Sequence, residues 1–282
     1  MKRLSPSEVP VVILAGGMGT RLREVTESVP KPLVEIGDKP ILWHIMKLYA
    51  HHGFEEFVLC LGYKGWLIKE FFLRYREHVC DFRLQLNGEH QPQFLNNGAD
   101  ENFNVTFAET GLTTATGARL WRVQKYIDSD TIMFTYGDGL GAVDIGALLD
   151  FHYESGRIGT VTGVRPTSRY GEMKVRDGAA VEFNEKPSTP DGFVSGGFFV
   201  LQREIFDYMN DDPQLFFESS PLQSLARDGE LAVYEHNDFW MGMDTYREYS
   251  ELNRLWDSGA APWKVWGEGH PQHDGHHVLT GV

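Results

Sequence analysis

The chain has 282 residues, with 40 acidic and 26 basic side chains and a formal net charge of −14 at pH 7. This length suits one large domain, and the 41% hydrophobic and 13% aromatic content excludes wholesale disorder. The negative charge argues against nucleic acid or an anionic lipid surface as the main partner, because both would be repelled. It does not exclude small anionic ligands, which respond to local charge.

The sequence also predicts a chain that crosses no membrane and carries no disulfide framework. It holds no apolar run of about 20 residues, the length that a membrane helix needs. Its two cysteines, Cys60 and Cys80, are too few for a framework, and Cys60 lies in an apolar run typical of a buried, inert thiol. A reducing, cytoplasmic setting is therefore expected.

In the first half of the chain, short β-branched or aromatic runs alternate with helical patterns, which is typical of a mostly parallel sheet. Strands are predicted over 11–14, 57–61, 104–108 and 131–136. Helices are predicted from about Pro40 to a stop at Gly53, and over 66–77 and 118–126.

The second half continues this sheet with an antiparallel insertion. Strands are predicted over 158–164, 172–176, 181–184, 196–201 and 231–236, and helices over 205–209, 221–228 and 245–258. Asp177-Gly178 predicts a hairpin between the second and third of these strands. We therefore expect an α/β fold in a single domain over 1–266, followed by a mobile, histidine-rich tail over 267–282.

The strongest chemical signal is the glycine-rich stretch 14–22, directly after the first predicted strand. Glycines at the carboxyl end of a strand let backbone N–H groups close around phosphates, and Arg21 adds a cation suited to bidentate contact with oxyanions. The spacing matches neither the dinucleotide fingerprint nor the P-loop. A plain glycine turn therefore remains an alternative.

A second signal follows about ten residues later, where Lys31 stands between Pro30 and Pro32. The prolines hold this cation in extended backbone. Most lysines are solvated surface charges, so Lys31 alone is weak evidence, but the two motifs together favour an anion site.

These two motifs, Gly-Gly-Met-Gly-Thr-Arg-Leu at 16–22 and Pro-Lys-Pro at 30–32, resemble the hallmark of the sugar-1-phosphate nucleotidyltransferases. Further segments resemble the branch of that family that uses CTP, namely 34–47, 62–65, 134–139, 196–200, 243–245 and 261–264. The resemblance covers about 11–266. It implies a Rossmann-like nucleotide-diphospho-sugar transferase fold, a mostly parallel twisted sheet flanked by helices. It also implies transfer of CMP from CTP to a hexose 1-phosphate, expected to be α-D-glucose 1-phosphate, with release of pyrophosphate.

The residues fit such a reaction, because a phosphate oxyanion attacks and the enzyme must supply alignment and charge neutralisation. Arg21 and Lys31 are the expected catalytic cations. The expected nucleotide-binding residues are Ala15, Gly16, Gly17, Gly19, Thr20, Arg21, Lys31, Thr110, Gly117 and Asp138. The expected sugar-phosphate-binding residues are Gly171, Glu185, Lys186, Ser195, Gly196 and Gly197.

The resemblance further implies that Asp138 and Asp244 are ligands of Mg²⁺, which prefers oxygen ligands and lets substrate phosphates complete its shell. Judged alone, each could be a turn aspartate, and Asp244 could cap the helix that follows it. Glu185-Lys186 could likewise be a surface pair.

Three departures from the family pattern leave the sugar open. Ser195 stands where the pattern has Asn, Glu172 adds a carboxylate near the expected sugar site, and segment 240–243 differs. The open alternatives are UTP or dTTP as the nucleotide, a different sugar phosphate, and a non-catalytic regulatory subunit of the same fold. Relatives of the family form homo-oligomers, so a homo-oligomer is expected, with a hexamer as one option.

Overall fold

The structure, a computed structural model, describes residues 1–19, 22, 26, 28–87, 91–96, 101–165, 172–176, 179–184 and 192–267. The strands are β1 (Val11–Ala15), β2 (Glu35–Ile36), β3 (Lys39–Pro40), β4 (Glu56–Leu61), β5 (Phe82–Arg83), β6 (Gln93–Phe94), β7 (Asn104–Glu109), β8 (Thr131–Tyr136), β9 (Gly139–Gly141), β10 (Gly159–Val164), β11 (Glu172–Arg176), β12 (Ala179–Asn184), β13 (Val194–Gln202), β14 (Leu231–His236) and β15 (Trp240–Gly242). The α-helices are α1 (Ile41–His51), α2 (Gly65–Leu73), α3 (Tyr75–Val79), α4 (Thr116–Val123), α5 (Ile145–Ser155), α6 (Ser220–Arg227) and α7 (Tyr246–Asp257).

A seven-stranded sheet in the order β14-β10-β13-β8-β1-β4-β7 forms the centre of the described fold. The pairs β8-β1, β1-β4, β4-β7 and β10-β14 are parallel, whereas β13 runs antiparallel to both of its neighbours. Separate two-stranded ribbons are formed by β11-β12 and by β9-β15. The prediction of a mostly parallel α/β sheet flanked by helices is therefore confirmed. The assignment of 1–266 to one domain stays a prediction.

Two apolar layers cover the two faces of the sheet, because neighbouring residues of a strand point to opposite faces. Val11 and Ile13 pack with residues of α1 and α5 in one layer. Val12 packs with residues of α4 and α6 in the other. The strands buried on both faces are the continuous apolar runs expected of a parallel sheet.

The structure corrects several predicted elements. The helix predicted over 66–77 is two helices, α2 and α3, and the helix predicted over 205–209 is a 3₁₀ helix, Arg203–Tyr208, rather than an α-helix. Helix α5 was not predicted, although Asp144 caps it by accepting a hydrogen bond from the Ala147 N–H. The predicted hairpin exists as the antiparallel pair β11-β12, whereas Asp177 and Gly178 lie outside the described residues. So does the predicted tail, apart from Gly267.

Both cysteines are free and buried, and burial raises the pKa of the Cys60 thiol to about 12, as expected for an inert thiol. In the part of the chain that the structure describes, no helix is long and apolar enough to span a membrane.

Candidate active site

A cavity of about 540 Å³ opens at one edge of the central sheet. The carboxyl ends of β1 and β8 meet at this edge, and the first residues of the antiparallel β13 lie beside β8 there. Ligands of open α/β sheets bind at such edges. Residues from the glycine-rich stretch, from 135–139, from 195–196 and from 240–244 line the cavity.

Lys31 joins two carboxylates in the wall of this cavity. Its Nζ donates hydrogen bonds to Asp138 Oδ2 at 2.6 Å and to Asp244 Oδ1 at 2.9 Å. The lysine is 9% exposed. Burial lowers its pKa, but the charges and hydrogen bonds of the two aspartates outweigh burial and raise the pKa above its ordinary value. Lys31 therefore stays charged at neutral pH.

The ribbon β9-β15 brings the two aspartates together from distant parts of the chain. Gly139 pairs with Gly242, and the Met243 N–H donates to Asp138 O at 2.8 Å, so Asp138 and Asp244 come from adjacent ends of the two strands. Asp244 does not cap α7. Thr245 is the N-cap, and its capping-box partner Glu248 also accepts the Asp244 N–H at 2.8 Å.

A buried arginine that was not predicted as a site residue, Arg119, supports the glycine-rich stretch. Its Nη1 donates to Leu61 O at 2.9 Å and to Thr110 Oγ1 at 2.7 Å, and its Nη2 donates to Gly16 O at 3.2 Å. A Cβ atom on Gly16 would stand 2.3 Å from Arg119 Nη1. Glycine is therefore required here so that the guanidinium can pack against the backbone. Arg119 also lines the cavity, and burial lowers its pKa.

Several predicted site residues line the cavity. They are Gly16, Gly17, Gly19, Lys31, Asp138, Ser195, Gly196 and Asp244. Four others are absent from this lining but adjoin or contact residues of it. Thr110 is buried and binds Leu61 O and Arg119, and Gly117 is buried at the start of α4. Ala15 ends β1, and Gly197 lies against the ring of Tyr136.

Other predicted site residues cannot be placed. Thr20, Arg21, Gly171, Glu185 and Lys186 lie outside the described residues, and their roles stay predictions.

The Nucleotidyl transferase family matches residues 10–257 of the chain. This chain belongs to the nucleotidyl transferase family. Over 255 residues it is 47% identical to "Probable glucose-1-phosphate cytidylyltransferase" of Bacillus subtilis (strain 168), covering 90% of this chain and 99% of the relative. It is 45% identical over 256 residues to glucose-1-phosphate cytidylyltransferase of Salmonella typhimurium, covering 90% and 98%. The prediction of a nucleotidyltransferase enzyme, similar to the glucose-1-phosphate cytidylyltransferases, is confirmed.

A solved structure supports the fold independently. The crystal structure of HddC from Yersinia pseudotuberculosis superposes with a TM-score of 0.64 at 22% identity, covering 88% of this chain and 99% of that one. At this identity the likeness bears on the fold alone.

The carboxylates of this cavity are oxygen donors of the kind that suits a hard divalent cation. No group of three or more His, Cys, Asp or Glu side chains within the described ranges could hold a metal ion. Asp138 and Asp244 offer a pair of carboxylates, with side chains 37% and 27% exposed in the cavity wall. A pair of oxygen donors, with the remaining positions left to water and phosphate, is the arrangement that Mg²⁺ uses.

Proposed function

We propose that this nucleotidyltransferase transfers CMP from CTP to α-D-glucose 1-phosphate, giving CDP-glucose and pyrophosphate. Similarity over 90% of the chain to two glucose-1-phosphate cytidylyltransferases supports the choice of substrates. The observation that carries the chemistry is the Lys31 ammonium group bridging Asp138 and Asp244 beside the glycine-rich stretch. A fixed cation, paired carboxylates and open backbone are what two phosphate-bearing substrates require.

The reaction needs no general base among these residues. The attacking group is an oxygen of the sugar phosphate, which is already ionised at neutral pH, and it displaces pyrophosphate in line at the α-phosphorus, inverting that centre. Backbone N–H groups at Gly16, Gly17 and Gly19 orient the triphosphate. Lys31 stabilises the charge that develops on the phosphate oxygens.

We propose Mg²⁺ as the cofactor, held by Asp138 and Asp244 together with substrate phosphate oxygens. When bound, the ion neutralises phosphate charge. We propose two roles for Lys31. It orients the two carboxylates through its hydrogen bonds, and its ammonium group attracts the incoming phosphates.

On the sugar side, we propose that Ser195, Gly196 and Gly197 lie next to the hexose, with Gly171, Glu185 and Lys186 completing that subsite. Ser195 and Gly196 line the cavity, and the Trp240 Nε1–H fixes the backbone there by donating to Gly196 O at 2.8 Å. Arg21 and Thr20 are proposed to bind the nucleotide phosphates.

A substrate panel tests this function. Pyrophosphate release is measured with CTP, UTP and dTTP, each with glucose 1-phosphate and with mannose and galactose 1-phosphate, and with Mg²⁺ present or removed by EDTA. The expected result is release with CTP and glucose 1-phosphate, abolished by EDTA and restored by added Mg²⁺. A preference for UTP or dTTP would contradict the choice of nucleotide. Turnover in the presence of EDTA would contradict the proposed requirement for Mg²⁺.

We also propose a homo-oligomer. Large apolar side chains on and near α2 and the β5-β6 ribbon are exposed, among them Trp66 at 63%, Leu73 at 82% and Leu86 at 77%. Exposed apolar side chains of this kind are common in subunit contacts. Light scattering after size exclusion measures the mass, for which a multiple of the 32.0 kDa chain is expected. A monomer would contradict the proposal.

A further inference from the structure

One wall of the cavity includes Phe216, which lies in residues 213–218, a segment for which the sequence offered no motif. Phe216 lines the cavity and is 52% exposed. Backbone hydrogen bonds attach the segment to the start of α4. The Ala115 N–H donates to Pro213 O at 2.8 Å, and the Ala118 N–H donates to Leu215 O at 3.0 Å. The wall is thus held at two points against a helix that also borders the cavity.

Glu218, at the end of this segment, binds two cavity-lining side chains from different elements. The Tyr136 hydroxyl, at the end of β8, donates to Oε1, and the Thr116 hydroxyl, at the start of α4, donates to Oε2 at 2.7 Å. Thr116 Oγ1 in turn accepts the Phe217 N–H at 2.9 Å. Tyr136 and Thr116 line the cavity. Glu218 therefore holds two side chains of the cavity lining through hydrogen bonds.

Tyr136 lies next to Gly197, one of the residues proposed to bind the hexose. A Cβ atom on Gly197 would stand 2.4 Å from the Tyr136 ring, so the ring packs directly against the backbone of Gly196-Gly197. Ser195 and Gly196 line the same cavity beside it.

We propose that Phe216, Tyr136 and Thr116 form the surface that contacts the hexose of the sugar 1-phosphate, and that Glu218 is the positioning residue of this surface. A pyranose ring has an apolar C–H face that packs on an aromatic ring such as Phe216. The Tyr136 hydroxyl gives its hydrogen to Glu218, which leaves its oxygen free to accept a hydrogen bond from a sugar hydroxyl. This inference rests on the proposed function for its substrate.

The test compares Glu218→Ala with Glu251→Ala as a matched control. Glu251 lies on α7, outside the cavity lining, and like Glu218 it is an exposed carboxylate that accepts one hydrogen bond on each oxygen, from Arg254 at 2.7 and 2.8 Å. For Glu218→Ala we expect the KM for glucose 1-phosphate to rise about tenfold, while kcat and the KM for CTP change less than about threefold. Glu251→Ala should change none of them.

Three further variants separate positioning from folding. Glu218→Gln keeps an acceptor for the Tyr136 hydroxyl but turns an N–H₂ group towards Thr116, so its KM for the sugar phosphate should fall between those of the wild type and Glu218→Ala. Tyr136→Phe and Phe216→Ala should each raise the same KM by about three- to tenfold. If Glu218→Ala fails to fold, these two variants carry the test.

An unchanged KM for glucose 1-phosphate in Glu218→Ala, Tyr136→Phe and Phe216→Ala would overturn the inference. A rise in the KM for CTP alone would also overturn the inference, because it would show that this surface contacts the nucleotide and not the hexose. Formation of CDP-glucose by the wild type decides the proposed function separately. If the wild type makes none, calorimetric titration of glucose 1-phosphate into wild type and Glu218→Ala, with a non-hydrolysable CTP analogue present, still tests the inference. Equal affinities would refute it, and weaker binding by the variant would support it.

Discussion

Replacing Lys31 by Met should lower turnover by about 100-fold or more while costing little stability. Lys31 Nζ lies 2.6 Å from Asp138 Oδ2 and 2.9 Å from Asp244 Oδ1, so these two oxygens are at most 5.5 Å apart, the sum of the two distances. Without the lysine, two like charges at that separation repel by about 3 kcal/mol at an effective dielectric constant of 20.

Water reduces this cost, because the Asp138 and Asp244 side chains are 37% and 27% exposed. Methionine keeps the apolar packing of the lysine stem. We therefore expect the free energy of unfolding to fall by about 1 kcal/mol, which shifts Tm by about 2–4 °C. Loss of the cation from the proposed site of CMP transfer should lower kcat by about 100-fold or more.

The assay is pyrophosphate release at saturating substrates, together with urea unfolding of the same preparations. Lys47→Met is a matched control, because Lys47 is also an ion-paired lysine with a mostly buried side chain, 3.6 Å from Glu101 and 22% exposed, but it lies on α1 outside the cavity lining. Turnover of Lys31→Met within about threefold of the wild type would refute the assigned role. A fall in Tm of more than about 10 °C would refute the estimate of its cost.

Three further perturbations test other parts of the site and fold. Asp138→Asn should lower kcat by about 100-fold without unfolding the protein, and near-normal turnover would exclude a catalytic role for this carboxylate. Gly16→Ala should lower the free energy of unfolding, measured in urea, by about 2 kcal/mol, because its Cβ would overlap the Arg119 guanidinium. Gly17→Ala is the control and should lower it little, because a Cβ there would meet no atom within 4 Å. Equal losses of stability in the two variants would contradict the argument from the close contact. Burial lowers the pKa of His44 and of His152 from 6.5 to about 4 each. The contribution of each neutral ring to the free energy of unfolding is therefore fully present above pH 6.5 and is lost as the pH falls towards 4. Between pH 7 and 5 the free energy of unfolding should fall by about 2 kcal/mol for each histidine, and equal urea midpoints at the two pH values would refute this.

The acid sensitivity has a structural cause at each histidine. His44 donates from Nε2 to Ile36 O at 2.9 Å and accepts the Trp263 Nε1–H on Nδ1 at 3.5 Å. His152 accepts from the Gln202 amide at 2.8 Å and donates to Thr160 Oγ1 at 2.9 Å. A proton added to either ring would place two donors face to face, so each ring stays neutral in the folded protein.

Most of the sheet could be predicted from the sequence, because the strands β1, β4 and β8 are continuous apolar runs and the helices between them have a regular apolar spacing. Helix α5 was missed, although Asp144 three residues before Ala147 is an N-cap signal and Ile145, Leu148, Leu149 and His152 form its buried face. The ribbon β9-β15 could not be predicted, since three-residue strands have too little pattern and are paired only by the tertiary fold.

At the site, motifs predicted which residues carry charge but not which of them meet. Lys31 is 107 residues from Asp138 and 213 from Asp244, and no local pattern reports a contact at that separation. Arg119 and Glu218 escaped prediction for a related reason. Arginine and glutamate are usually solvated, and only the fold shows that Arg119 is buried among backbone oxygens and that Glu218 joins two elements.

Two cations, Lys31 and Arg119, belong to the described lining of the cavity, and they differ in how their charge is balanced. Lys31 is neutralised by two carboxylates. Arg119 donates its described hydrogen bonds to three carbonyl oxygens and one hydroxyl, all neutral. Within the described residues, no carboxylate therefore balances the charge of Arg119. The residue is 5% exposed and borders the cavity. The low local dielectric constant there strengthens the field of its guanidinium group. The charged side chains in the described lining are Lys31, Arg119, Asp138 and Asp244, so the local charge there is balanced although the whole chain carries −14.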